Sequence, residues 1–80
     1  MLFARILGTG SFTPERIVTN AELAPLVDSS DEWIVERTGI RERRWVEAGS
    51  GVGSAALGIE AARRAMADAG VAASDISLVI

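Results

Sequence analysis

Two residues in this chain are spaced to grip a nucleotide. Trp33 and Arg37 stand four apart, so on a helix they share one face. An indole one turn from a guanidinium offers a stacking surface beside a partner for phosphate oxygens. The same spacing also suits a core Trp with an exposed Arg, or the two stacked on each other. Arg37, Arg41, Arg43 and Arg44 form a local cluster around Glu42. Such a cluster fits either an anionic group or a solvated strand with scattered ion pairs. Arg43 and Arg44 are adjacent, so on a strand they point to opposite sides and cannot both join one patch.

Two glycine-rich stretches invite a phosphate reading. Gly8-Thr9-Gly10 follows an apolar run, as a dinucleotide fingerprint would. The full pattern needs a third Gly or Ala three residues on, opening a helix. Thr13 and Pro14 stand there instead, so a turn that requires small residues is the better reading. Gly49-Ser50-Gly51-Val52-Gly53-Ser54 precedes a helical pattern, and helix N-terminal N–H groups can hold phosphate. The P-loop spacing and its Lys are missing, so this stretch reads as a flexible connection.

Much chemistry is excluded by what is absent. The eighty residues contain no Cys, His, Lys or Tyr. That removes disulfides, zinc fingers, Cys–His or Ser–His nucleophile pairs, Schiff bases and a P-loop lysine. The length fits one small domain or a piece of a larger one, since domains usually reach about 100–150 residues. Apolar residues at 49% and charged residues at 24% argue for a folded chain. The net charge of −3 argues against a general nucleic-acid binder. No signal peptide or membrane span is legible, and a cytoplasmic location is expected.

The elements that must position these residues follow from pattern. Leu2–Leu7 is short, apolar and Gly-bounded, which predicts a strand. Asn20 is a good N-cap for a short helix over 21–27, with Pro25 shortening or restarting it. Ser29 and Glu32 match a capping box for a helix over 31–38, and Gly39 is placed to end it. That helix carries Trp33 and Arg37. Residues 40–46 read as a charged, edge-like strand. Helical spacing predicts a long helix over 52–69, stopped by Gly70, with Glu60 and Arg64 paired across one turn. Ile76–Ile80 begins a β-branched strand of the kind found inside parallel sheets with helices on both faces. The order is that of an α/β chain, cut short in its most apolar strand.

Several stretches resemble one family. Gly8-Thr9-Gly10-Ser11-Phe12-Thr13-Pro14-Glu15, then Val18-Thr19-Asn20, resembles the opening of the β-ketoacyl-[acyl carrier protein] synthase III family. The sixteen residues from Asp28 to Arg43 resemble it more specifically still. Glu60–Ala65 and Asp75–Ile80 continue the likeness. It covers essentially the whole chain, but only the opening part of a typical family member.

The resemblance implies an α/β fold that is the N-terminal part of a thiolase-like fold, in full members a five-layer αβαβα stack. It implies that residues 1–80 form part of the N-terminal domain, with the rest of the enzyme absent. Family members are homodimers that condense an acyl-CoA primer, often acetyl-CoA, with malonyl-[acyl carrier protein] to start fatty acid synthesis. Acyl-CoA is a substrate, and no cofactor is tightly bound. The family's Cys, His and Asn lie beyond Ile80, so no catalytic residue is expected here and the chain alone is expected to be inactive. By motif match, Trp33 would stack on adenine and Arg37 would lie near the phosphates. Ser29 would stand near the same CoA, and Thr38 is a further candidate. Two alternatives stay open: a diverged acyltransferase of secondary metabolism, and a small standalone CoA- or nucleotide-binding module. No nucleic acid, membrane or metal partner is expected.

Overall fold

The computed structural model describes residues 2–80. The chain divides into two compact units, residues 13–51 and residues 1–12 with 52–80.

The 13–51 unit is built on a two-stranded antiparallel sheet. Strand β1, Arg16–Thr19, pairs with β2, Glu42–Trp45. The register sets Val18 opposite Arg43 and Ile17 opposite Arg44. Between the strands run two short helices, α1 (Asn20–Val27) and α2 (Asp31–Thr38). The core is small: Val18 is fully buried and Ile34 is 8% exposed.

Local signals fix most of these bounds. Thr19 caps α1, its hydroxyl accepting from the Glu22 amide at 3.3 Å. Asn20, expected in that role, is instead the first helical residue and is buried. Helix α1 continues through Pro25; the proline removes only the bond that would reach the carbonyl of Ala21. Asp28 ends α1 in the left-handed region, at φ 51°. The amides of Asp28 and Ser29 both donate to Ala24 O. Ser29 is thereby consumed by the end of α1, and Ser30 caps α2, accepting from the Trp33 amide at 3.2 Å. The expected Ser29–Glu32 capping box therefore does not form. The bounds of α2 are the expected ones, and Gly39 closes it at φ 72°, a conformation that suits Gly.

The second unit is organised by α3, Ser54–Ala69. Seven of its sixteen residues are Ala, the best helix former. It begins two residues later than the expected Val52 and ends at Gly70, φ 70°. Glu60 meets Arg64 at 3.4 Å, as the spacing predicts.

Residues 8–12 run antiparallel along α3. The Thr9 amide donates to Asp68 Oδ2 at 3.0 Å, and Arg64 donates to Ser11 O at 3.2 Å. The Arg64 guanidinium lies 4.9 Å from the Phe12 ring centroid. A Cβ on Gly8 would stand 2.6 Å from Ala69 N, and one on Gly10 would be 2.9 Å from the carbonyl carbon of Arg64. The glycines are thus set by close backbone approach to a helix rather than by a phosphate.

Two expected strands are not formed as strands. Neither Leu2–Leu7 nor Ile76–Ile80 pairs with another strand among the described residues; a single 3₁₀ turn, Ala73–Asp75, precedes the latter. A strand is defined by its ladder of hydrogen bonds, and apolar sequence alone does not supply the partner. Both segments leave apolar side chains exposed, Phe3, Ile6, Leu78 and Val79 among them. The sheet described above is antiparallel, so the parallel pairing expected of Ile76–Ile80 is not seen in it.

Candidate functional site

Helix α2 brings Trp33 and Arg37 onto one exposed face, because residues four apart are neighbours on a helix. The Arg37 guanidinium lies 5.5 Å from the Trp33 ring centroid, within cation–π range. Trp33 is 53% exposed. A core indole is therefore not what α2 presents; the ring keeps a free surface.

Beside this pair lies an open depression of about 560 Å³. It is lined by Leu23, Val27, Asp28, Ser29, Ser30, Trp33 and Ile34. The turn between α1 and α2 supplies its polar lining, Asp28, Ser29 and Ser30, and the two helices its apolar lining. An indole, aliphatic side chains and serine hydroxyls in one lining suit a heteroaromatic group carrying polar substituents. The adjacent guanidinium supplies a fork for an oxyanion.

Of the four residues singled out from sequence, Ser29, Trp33 and Arg37 come together at this face. Thr38 stands apart from the depression. Its hydroxyl donates to Ile34 O at 2.6 Å and accepts from the Ile40 amide at 3.0 Å. It closes the C-terminal end of α2.

The arginine cluster is dispersed. Arg43 reaches Asn20 Oδ1 at 2.7 Å, while Arg44 donates to Pro14 O at 3.1 Å. They lie on opposite sides of β2, as the alternation requires. Arg16 bonds Glu22 and lies 3.4 Å from Glu47, with its guanidinium 5.6 Å from the Trp45 ring centroid. Among the described residues no cluster of three or more metal-ligating side chains occurs. Among the described residues no helix is long and apolar enough to cross a membrane.

Sequence reading took Asn20 for a helix cap and missed its bridging role. The residue is 1% exposed. It donates to Asp31 Oδ1 at 2.8 Å and to Ile40 O at 2.7 Å, and accepts from Arg43. These partners lie eleven to twenty-three residues away, so no local pattern marks them. Leu23 and Val27, four apart on α1, carried a helical-face signal that could have been read as one wall of the depression.

These elements define the class. They are part of a thiolase-like α/β fold, as seen in solved structures of condensing enzymes. The priming β-ketosynthase of the R1128 polyketide biosynthetic pathway superposes with a TM-score of 0.82 at 44% identity, over 91% of this chain and 21% of that one. The 3-oxoacyl-[acyl carrier protein] synthase III of Aquifex aeolicus gives 0.73 at 39% identity, over 82% and 20%.

No family model matches the chain. Curated proteins do: the β-ketoacyl-[acyl carrier protein] synthase III of Bordetella petrii is 54% identical over 85 aligned residues, covering all of this chain and 25% of the relative. The chain belongs to the β-ketoacyl-[acyl carrier protein] synthase III family, matching its N-terminal portion. It spans about a quarter of the length of the curated relatives it matches.

Proposed function

We propose that these eighty residues are the CoA-facing portion of a β-ketoacyl-[acyl carrier protein] synthase III, within its N-terminal domain. The complete enzyme would join an acyl-CoA primer to malonyl-[acyl carrier protein], with release of CoA and carbon dioxide. The observation that carries the reading is the Trp33–Arg37 pair, exposed and 5.5 Å apart beside a depression lined in part by Ser29 and Ser30. Adenine stacks on the free face of the indole. Arg37 swings from the ring to a CoA phosphate, exchanging a cation–π contact for a charge-assisted fork. Ser29 offers a hydroxyl in the depression's lining. Thr38, its hydroxyl engaged at both ends, acts by holding the end of α2.

No catalytic role is assigned to any residue of this chain, which has neither Cys nor His. Acyl-CoA is read as substrate rather than resident cofactor. The acidic balance of −3 argues against a nucleic-acid partner; acyl-CoA and carrier protein are proposed from the family. A cytoplasmic homodimer is the working form proposed for the complete enzyme.

The test is condensation by the complete enzyme, followed by CoA release. Base stacking contributes about 1–3 kcal/mol, so Trp33→Ala should raise the KM for acyl-CoA roughly 5- to 150-fold. The KM for malonyl-[acyl carrier protein] should not move. An enzyme that releases no CoA from any acyl-CoA, or whose Trp33→Ala variant keeps its acyl-CoA KM, overturns the reading.

A further inference from the structure

Helix α2 is too short to hold its own geometry. Isolated helices under about 12–15 residues are marginal in water, and α2 has eight. Its one buried side chain is Ile34. Yet Trp33 and Arg37 must be held to a fixed rotation, because consecutive residues sit about 100° apart around a helix. Something besides one apolar anchor has to fix the helix about its axis.

We infer that Asn20 is a positioning residue that clamps α2 at both ends and so sets the Trp33–Arg37 face; the inference rests on the CoA reading of that face. A single amide nitrogen makes both ties. Nδ2 donates to Asp31 Oδ1 at 2.8 Å, in the first turn of α2, and to Ile40 O at 2.7 Å, two residues beyond its last. The amide oxygen is held by Arg43 Nη2 at 2.7 Å. Arg43 in turn reaches Val18 O, at 3.4 Å, on the facing strand. The Asn20 amide also donates from its backbone, to Arg41 O at 3.2 Å. The clamp is therefore anchored in the sheet and not in α2 itself.

The geometry explains why the clamp acts on rotation. Asp31 and Ile34 are three apart, so they share one face; Ile34 is buried on it, and the exposed Asp31 is tied to the buried Asn20. Trp33 and Arg37 occupy the neighbouring, outward face. Releasing the Asp31 tie leaves the first turn of α2 without a side-chain link to the sheet, and α2 can roll about Ile34, its one buried side chain. Burial strengthens the constraint. At 1% exposure Asn20 has no water to replace a lost partner, and a half-satisfied buried amide is costly. Both donor hydrogens are used, so the side chain has no spare orientation.

The experiment uses the complete enzyme and reads two quantities. One is the KM for acyl-CoA beside the KM for malonyl-[acyl carrier protein] and kcat. The other is hydrogen exchange of the α2 amides beside those of α3. For Asn20→Ala the expected result is an acyl-CoA KM raised roughly tenfold or more, since small misplacements of a positioning element are amplified at the site. The carrier-protein KM stays unchanged and kcat stays within about twofold. Exchange quickens in α2 and not in α3. Asn20→Asp keeps the acceptor for Arg43 but loses both donors, so it should behave like the Ala variant. A wild-type Asn20→Asp overturns the clamp.

Should Asn20→Ala fail to fold, exposed Asp31 supplies the decision. Asp31→Ala and Asp31→Asn both remove the charge from the first turn of α2, but only the Asn variant keeps the acceptor. A loosened α2 with Asp31→Ala and a retained one with Asp31→Asn supports the clamp; equal behaviour overturns it. An Asn20→Ala variant that raises both KM values alike and loosens α3 as well also overturns it. If Trp33→Ala leaves acyl-CoA binding untouched, the CoA reading fails, while the exchange arm still judges the clamp.

Discussion

Replacing Gly10 by Ala tests whether the Gly-Thr-Gly stretch is a helix-packing device. Two effects oppose each other. Gly10 has a backbone conformation open to any residue, so Ala should gain about 0.4–1 kcal/mol by restricting the unfolded chain. Against this, the new Cβ would sit 2.9 Å from the carbonyl carbon of Arg64 and closer still to Ala65 N and Ala61 O. At Gly8 the nearest atom is Ala69 N at 2.6 Å, and ordinary contact begins at 3.4 Å, so segment and helix must separate by about 0.8 Å. All three atoms facing Gly10 belong to helix backbone, which no rotamer change can move aside. Overpacking of this kind costs about 1–3 kcal/mol. Three helix-backbone atoms under 3.0 Å place Gly10→Ala in the upper half of that cost, so after the entropic gain is subtracted the net expectation is a loss of about 1–2.6 kcal/mol. Gly58 is the internal control: it lies within α3 with nothing within 4 Å of its would-be Cβ. Gly58→Ala should therefore stabilise by about 0.5–1 kcal/mol. Urea unfolding followed by circular dichroism reads both, and at a slope near ~1 kcal/mol/M the midpoints should move apart in opposite directions by roughly 0.5–2.6 M. A Gly10→Ala variant as stable as wild type would refute the packing argument, and so would a shift of the same sign and size as Gly58→Ala.

Other expectations follow from the ends and charge of α2. Ser30→Ala removes the cap that holds the Trp33 amide and should cost about 0.5–2 kcal/mol, while Ser29→Ala, outside the cap, should cost clearly less; amide exchange at 31–34 distinguishes them. Gly39→Ala places a Cβ at φ 72° and should destabilise by roughly 1 kcal/mol, read by thermal unfolding, with Gly39→Asn milder. Arg37 is exposed, so its attraction for a CoA phosphate should be screened at ionic strengths where the Debye length falls to about 10 Å or less. The acyl-CoA KM of the wild type should therefore rise more steeply with salt than that of Arg37→Ala.

What the sequence made legible is what neighbours decide. The span of α2 follows from acids in its first turn and a glycine at its end, all within ten residues. Helix α3 and its Glu60–Arg64 pair follow from periodicity and spacing in the same way. The failures began where two local signals competed. Ser29 and Ser30 are equal as caps by residue type; the amide of Ser29 is already bonded to Ala24 O, which leaves Glu32 no backbone donor there for the capping box, and the Ser30 hydroxyl takes the Trp33 amide. Thr19 and Asn20 are likewise rival caps, and Asn20 loses that role because its side chain is used elsewhere. The apolar runs at 2–7 and 76–80 show the other limit: pattern reports a preference for extension, and pairing depends on a partner.

The candidate site divides along the same line. Trp33 and Arg37 were legible because their relation is one helical turn, which any eight-residue helix enforces. What the spacing could not tell is whether the indole would be buried in a core or left with a free face. That is decided by which side of α2 turns inward. Asp31 and Ile34 settle it, the first through Asn20 and the second by burial against the unit's core. Asn20 lies on a helix of its own, and its other partners, Ile40 and Arg43, flank the far end of α2. A face that reads as a local motif is thus oriented by contacts spanning most of residues 18–43. Grafting α2 alone onto another scaffold should carry the Trp33–Arg37 spacing without its aim. Transfer of the 13–51 unit, sheet included, is the smallest graft expected to carry both, and CoA-dependent quenching of Trp33 in a Trp45→Phe background would show it. Equal quenching by the two grafts would mean that the turn of helix suffices and the sheet adds nothing to the site.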